Sequence, residues 1–346
     1  MLQPVLSQTV NFANLLGMRN IFFIIIAYAF FVCACNSNNE CIEAPDVSDI
    51  AVDVKVERLE QELYSAKTEE EIHNFLRQHP VVAERFLMKG NHASDPTLTR
   101  WLYDMINNPY IDTLYQDTQE VFGDFARIQT EFGKAFQYLK HYYSEFEPPV
   151  INTMMTGMSA DLYVSDSLFI IGLDMFQGED AQYRPQVYSY MLKRYQPEYI
   201  VPNALLFLSS KWNETEQTDN TLLAEIIYFG KSFHFVKQLI PCTADSILIG
   251  YSSEEMELIE EGEETIWKYF IDNQLLYETS HIEKERYLNE RPATIEINNK
   301  VPGRIGRWIG WQIVRSFADN NPEVTLQELM KMTNAEEILR RAKYRP

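Results

Sequence analysis

The segment 228–236, YFGKSFHFV, invites comparison with a zinc-binding helix. In the pattern HExxH, two histidines four residues apart share one helix face and bind zinc, while the glutamate acts on the zinc-bound water. Here Gly230 stands at the first ligand position and Lys231 at the acid, so only His234 remains. A charged lysine would repel zinc and could not accept a proton. We therefore predict no catalytic, metal-binding or cofactor-binding residue, and a protein that is not an enzyme.

The alternative is a metal-dependent hydrolase or peptidase with a non-standard site near His234. Further ligands could be glutamates such as Glu225 or Glu255, which the sequence does not place beside the histidine. Asp161, Asp166 and Asp174 flank a predicted sheet, so a carboxylate pair like that of a glycosidase also stays open. No G-x-S-x-G sequence or Cys/His cluster points to another catalytic class.

The elements that must position this segment follow from apolar periodicity. Apolar residues three or four apart along 222–240 predict one buried helix face, and the same spacing over 118–146 predicts one long helix. Apolar runs within 150–178 predict a small antiparallel sheet, and the alternating segment 51–57 predicts a half-buried strand. The prediction is therefore an α+β fold, predominantly helical with a small antiparallel sheet, in a single domain over residues 51–346.

A glycine-rich segment near the C-terminus, PGRIGRWIGWQIVRSF, covers residues 302–317. Pro302 can begin a helix, and the following glycines then share one face, where each costs up to about 1 kcal/mol relative to alanine. We infer that a second backbone packs closely there, so that leucine at Gly306 or Gly310 would push two helices apart. A phosphate loop is excluded, because no Lys-Ser/Thr ending follows. The signature residues of this segment are Gly303, Arg304, Gly306, Trp308, Gly310 and Trp311.

The N-terminus has the pattern of a lipoprotein signal peptide. A short apolar stretch follows Met18-Arg19 and ends in Val32-Cys33-Ala34-Cys35, which is aliphatic, small, small and Cys. We predict a signal peptide over residues 1–34 with its true start at Met18, cleavage between Ala34 and Cys35, and a lipid on Cys35. The alternative is a plain N-terminal membrane anchor, although the stretch is shorter than the about 20 residues that span a bilayer.

Besides Cys35, the predicted mature chain contains two cysteines, Cys41 and Cys242. Residues 35–50 are polar with little periodicity and predict a flexible lipidated tether. Because Cys41 lies in this tether, we expect two free thiols, with a disulfide as the alternative in an oxidising compartment.

Composition excludes one class of partner. The chain carries a formal net charge of −20 and contains no basic cluster, so its surface would repel phosphate backbones. We therefore predict no nucleic-acid binding.

The C-terminal block resembles the gliding motility lipoprotein GldB and its relatives. The specific part is PGRIGRWIGWQIVRSF followed by a short helix and the terminal AEEILRRAKYRP. Other blocks fit in the same order: VKVERLEQELY, LFIIGLDMFQG, YFGKSFHFVKQLIP and TIWKYFIDNQLLY. The resemblance covers roughly residues 50–346.

The resemblance implies a lipid-anchored envelope protein, at the outer membrane, that supports gliding motility and the machinery linked to type IX secretion. Its partners would be the membrane, through the N-terminal lipid, and envelope proteins that the sequence does not identify. The order of a strand such as LFIIGLD before the helix of His234 is also similar to zinc peptidases of the gluzincin type. This second likeness implies a zincin-like shell that has lost its metal motif.

Overall fold

The computed structural model describes residues 41–87, 96–165 and 167–346, and residues 41–346 form one compact unit. The predictions on the signal peptide, on Cys35 and on residues 36–40 lie outside the described residues. The fold is a predominantly helical α+β fold, as the sequence predicts. No helix of the described residues is long and apolar enough to cross a membrane.

The helices of the N-terminal half all lie between the first and the second strand of the sheet in sequence. They are α1 (Leu59–Ser65), α2 (Glu69–Gln78), α3 (Pro96–Ile106), α4 (Pro109–Phe122) and α5 (Ala126–Tyr142), with a short turn at Pro80–Val82 and a π-helix at Ala83–Leu87 between α2 and α3.

The regular elements of the C-terminal half are helices. It contains α6 (Ile200–Ser209), α7 (Leu222–Leu239), α8 (Asp245–Ile249), α9 (Ser253–Glu261), α10 (Glu263–Asp272), α11 (His281–Leu288), α12 (Ile305–Asn320), α13 (Leu326–Lys331) and α14 (Ala335–Ala342). Short 3-10 turns lie at Leu173–Phe176, Ser189–Arg194, Pro197–Tyr199 and Leu275–Tyr277.

The sheet differs from the predicted antiparallel arrangement. Its strands are β1 (Val56–Arg58), β2 (Ile151–Met154), β3 (Leu162–Val164) and β4 (Phe169–Gly172), in the order β1-β2-β4-β3. β2 pairs in parallel with both β1 and β4, and only β3 and β4 are antiparallel. The prediction was wrong because it assumed pairing between neighbours in sequence. In the structure the chain passes through helices between β1 and β2, and β3 takes the outer edge beyond β4.

The predicted helix over 118–146 is two helices. α4 ends at Phe122 and α5 begins at Ala126, whose N–H donates to the Asp124 side chain at 2.9 Å. Asp and Gly favour turns rather than helix interiors, and the Gly123-Asp124 pair breaks the periodic stripe. The apolar face itself is present, since Phe132 and Phe136 are fully buried.

The sheet separates two apolar clusters, because alternate side chains of a strand point to opposite faces. Phe169 and Ile171 of β4 join the larger cluster with α5, α7 and α12. Ile170, between them, joins the smaller cluster with α1, α2 and α3. Helix α7 lies inside the larger cluster and is buried on several faces rather than on the single predicted face.

The segment after residue 40 is attached to the domain, which corrects two expectations. Cys41 and Cys242 form a disulfide, where two free thiols were expected. The N–H of Ile42 donates to the carbonyl of Pro241 at 3.2 Å, and Val47 is only 1% exposed. Residues 41–50 are therefore not a flexible tether. The prediction failed because the segment is mostly polar and has few apolar residues that contact the domain. In addition, Cys242 is 201 residues away from Cys41 in sequence.

The disulfide gives a first prediction. Both half-cystines are exposed, so dithiothreitol should reach the bond. We expect its reduction to lower the free energy of unfolding by about 2–4 kcal/mol, because the bond closes a long loop in the unfolded chain. The measurement is urea unfolding of the oxidised and reduced protein. A Cys41→Ser/Cys242→Ser variant should match the reduced wild type and not respond to dithiothreitol. An unchanged midpoint on reduction would contradict the prediction.

Candidate functional site

Helices α7 and α12 cross in backbone contact at Gly230 and Gly310. A Cβ atom added to Gly310 would lie 1.8 Å from the carbonyl oxygen of Ile226, and one added to Gly230 would lie 2.2 Å from the carbonyl oxygen of Gly310. Real Cβ atoms do not approach other atoms so closely, so neither position accepts a side chain without movement of a helix. Gly230, at the first ligand position of the zinc-like pattern, is therefore explained by packing.

The glycine-rich segment only partly follows the predicted helix. Gly306 shares the packed face of α12, where an added Cβ would lie 3.2 Å from Ile226 Cγ2. Gly303 does not, because α12 begins at Ile305 and not at Pro302. Arg304 stands before the helix in the left-handed region, with φ 63°. A Cβ on Gly303 would lie 2.3 Å from the carbonyl oxygen of Arg291, so this glycine permits a different close approach. Trp308 and Trp311 are both buried.

Lys231 is a buried cation that binds backbone carbonyl groups. The side chain is 1% exposed, and its Nζ donates to the carbonyl oxygens of Glu214 at 2.7 Å, Met332 at 2.8 Å and Met330 at 3.2 Å. Burial lowers the pKa of Lys231 to about 8, against a smaller opposing effect of Glu214. The lysine thus joins α7 to the segment before it and to the end of α13.

His234 is half-buried on α7, and its surroundings favour the neutral imidazole. Burial, and secondly the charge of Arg315, lower its pKa to about 4. The glutamates considered as further ligands are bonded elsewhere: Glu225 pairs with Lys284, while Glu255 pairs with Lys193. In the described parts of the chain, no group of three His, Cys, Asp or Glu side chains could hold a metal ion.

The lowered pKa of His234 predicts a pH dependence of stability. Above pH 6.5 the imidazole is neutral in the folded and the unfolded chain. As the pH falls from 6.5 towards 4, the unfolded chain binds a proton that the folded chain does not, so stability is lost. Between about pH 7.5 and about pH 5, we expect the wild type to lose about 2 kcal/mol more unfolding free energy than a His234→Gln variant.

Urea unfolding at the two pH values measures this difference. His281 is exposed on α11, so a His281→Gln variant should follow the wild type within about 0.5 kcal/mol. Equal losses in the wild type and in His234→Gln would show that the imidazole has no depressed pKa.

Of the three aspartates that flank the sheet, Asp166 lies outside the described residues, and Asp161 and Asp174 do not form a pair of equivalent carboxylates. Asp174 is fully buried, and burial raises its pKa. It accepts hydrogen bonds from the N–H groups of Thr156 at 3.0 Å and Met158 at 2.6 Å, and so holds a turn in which Gly157 and Met158 have positive φ. Asp161 instead lines a cavity.

This cavity, called the arginine pocket below, has a volume of about 410 Å³. Its charged lining residues are Arg194, Arg304, Arg307, Glu290 and Asp161. Sequence reasoning selected Arg304 only as part of the glycine-rich segment and missed Arg194, Arg307 and Glu290. No local signal could have found them together, because they come from a 3-10 turn, a connection and a helix that are distant in sequence.

Glu290 binds two of the arginines. Arg194 donates to its two carboxylate oxygens at 2.7 Å each, and Arg304 Nε lies 3.2 Å from the same group. Arg304 also donates to the carbonyl of Ile249 at 2.7 Å. Burial acts to raise the pKa of Glu290, but Arg194, Arg304 and Arg307 together hold it below its ordinary value. The carboxylate is therefore ionised at neutral pH.

Arg307 has a different environment. Its Nε donates to the carbonyl of Leu288 at 2.7 Å, and its guanidinium lies 4.2 Å from the centre of the Phe229 ring. Burial, followed by the nearby charge of Arg304, lowers the pKa of Arg307 to about 10. Among the described residues no carboxylate forms an ion pair with it. The pocket thus contains one guanidinium without an anionic partner.

The fold and the site define a helical α+β domain with a glycine-packed helix crossing and an arginine-lined pocket. The chain matches the family model described as gliding motility protein GldB over residues 40–346, and it belongs to that family. This confirms the resemblance seen in the sequence. Membership of this lipoprotein family indicates a role in gliding motility and a lipid-anchored protein of the cell envelope. No curated protein and no solved structure matches the chain, so the zincin-like shell stays a prediction.

Proposed function

We propose that the protein is an outer-membrane lipoprotein, anchored through Cys35, that supports gliding motility and the machinery linked to type IX secretion. It acts through contacts with envelope proteins and not by catalysis. Family membership over residues 40–346 is the observation that carries this proposal. The packing role of Gly230 and the carbonyl contacts of Lys231 support the non-catalytic part, because both residues of the zinc-like pattern have structural roles.

Gene replacement in the source bacterium tests the proposal. Deletion should reduce surface spreading or secretion of exported proteins, and the wild-type gene should restore it. A Cys35→Ala gene should restore neither, and its product should lose lipid labelling and leave the membrane fraction. Lipid labelling that persists in Cys35→Ala would contradict the anchor.

The non-catalytic part has a separate test. A His234→Ala gene should restore the phenotype if its product reaches wild-type levels. Metal analysis and a peptidase assay of the purified protein complete this experiment. Bound zinc together with His234-dependent cleavage would overturn the proposal in favour of a hydrolase.

A further inference from the structure

The arginine pocket has a positive excess in a strongly acidic protein. The chain has a formal net charge of −20, yet three arginines line this cavity against two carboxylates, Glu290 and Asp161. One positive charge therefore remains. Because a cavity with low-dielectric walls strengthens the field of its charges, this excess selects anions from solution.

One arginine of the pocket, Arg307, forms no ion pair with a carboxylate in the described parts of the chain. Arg194 and Arg304 both lie against Glu290, which balances only part of their charge and holds both guanidinium groups in place. Arg307 binds a carbonyl through Nε, and its terminal nitrogens have no hydrogen-bond acceptor in the described parts of the chain. Arg307 is only partly buried and lines the cavity, so these nitrogens are accessible to an anion, which would accept charge-assisted hydrogen bonds from them.

The remaining walls of the pocket are mostly apolar. Phe229 lies beside Arg307, while Met191, Leu206 and Leu248 line other parts of the wall. Phe207 also lines the cavity and is 56% exposed, so an apolar surface reaches solvent. A volume of about 410 Å³ falls within the range of about 300–1,000 Å³ that is usual for small-ligand pockets.

We propose that the arginine pocket binds a carboxylate that carries an apolar or aromatic group, with Arg307 as the anion partner. A carboxylate has the single charge that the lining lacks, and its planar shape fits two parallel N–H donors of a guanidinium. A phosphate dianion would exceed the positive excess and would be repelled by Glu290. A free organic acid and the C-terminal residue of a peptide share this chemistry.

Calorimetric titration of the full chain in detergent tests the proposal with four probes. N-acetylphenylalanine supplies the acid, its amide is the neutral control, phenyl phosphate supplies a dianion, and acetyl-Ala-Ala-Ala-Phe supplies a peptide C-terminus. The acid should bind at least about ten-fold more tightly than the amide, because the neutral amide cannot form the charge-assisted hydrogen bond of the carboxylate. It should also bind more tightly than phenyl phosphate. The tetrapeptide binds more tightly than the free acid if the source is a peptide end, and more weakly if it is a small acid.

Variants assign the binding to the pocket. Arg307→Gln should weaken binding of the acid about ten-fold or more and leave binding of the amide unchanged. Arg341 is the matched control, because it also lies over an aromatic ring, that of Phe317, but outside the pocket. Arg341→Gln should bind like the wild type. If Arg307→Gln does not fold, Phe207→Glu places a negative charge on an exposed wall residue and should weaken binding of the acid alone.

Two results would overturn the proposal. One is equal affinity for the acid and the amide, or no detectable binding of either acid probe. The other is an unchanged affinity for the acid in both Arg307→Gln and Phe207→Glu. Neither result bears on gene replacement, so the proposed role in motility can survive the loss of this inference.

Discussion

Alanine at Gly310 should lower the free energy of unfolding by about 3 kcal/mol, the upper end of the usual cost of overpacking. The new Cβ would lie 1.8 Å from the carbonyl oxygen of Ile226, which belongs to the backbone of α7 and cannot rotate away. The helices must therefore separate, and the aromatic side chains around the crossing lose contact. Urea unfolding followed by tryptophan fluorescence is the measurement, since Trp308 and Trp311 lie on the same helix.

Gly133 provides a matched control for this substitution. It also lies inside a helix, α5, but a Cβ there would have Val54 Cγ2 as its nearest atom, at an ordinary 3.9 Å. Gly133→Ala should therefore keep or raise stability, by up to about 1 kcal/mol, because alanine favours the helix. The crossing would not be a close contact if the two alanine variants had the same stability.

Methionine at Lys231 should lower the free energy of unfolding by about 3–5 kcal/mol, because buried acceptors lose their charged donor. The carbonyl of Met330 would keep one hydrogen bond, since the N–H of Glu214 donates to it at 2.9 Å. The carbonyls of Glu214 and Met332 have no such replacement in the described parts of the chain. Methionine has a similar length, so the loss would come from hydrogen bonding more than from an empty space.

Chemical unfolding measures this loss, with Lys268→Met as the control. Lys268 is exposed on α10 and pairs with Asp272 at 3.5 Å, so its replacement should change stability by less than about 0.5 kcal/mol. If Lys231→Met were as stable as Lys268→Met, the carbonyl contacts would not contribute to the fold.

Local features of the fold can be predicted from the sequence. The capping box of Thr68 and Glu71 that starts α2 is one of them, because its two hydrogen bonds form within four residues. The glycines of the C-terminal segment indicated a close backbone approach for a similar reason. Gly306 and Gly310 leave gaps in an otherwise apolar face of α12, and a neighbouring backbone can fill such gaps.

Features that join distant segments of the chain could not be predicted from the sequence. The parallel pairing of β1 with β2 depends on how the intervening helices pack. The residues of the two strands contain no sequence signal that predicts which strands pair. The disulfide needed the approach of residues 41 and 242, which only the fold decides. The arginine pocket was missed for the same reason. Glu290 binds Arg194 and Arg304 only because the fold brings these residues together.

The contact of Gly230 with Gly310 has a consequence for the pocket. Phe229 is the neighbour of Gly230 on α7, and Arg307 lies one helical turn before Gly310 on α12. Two backbones in van der Waals contact cannot come closer, so this contact sets the distance between the ring and the guanidinium that form one wall. The shape of a binding cavity would thus depend on Gly230 and Gly310, which do not touch the ligand. Their effect comes from the absence of a side chain, which allows the two helices to approach.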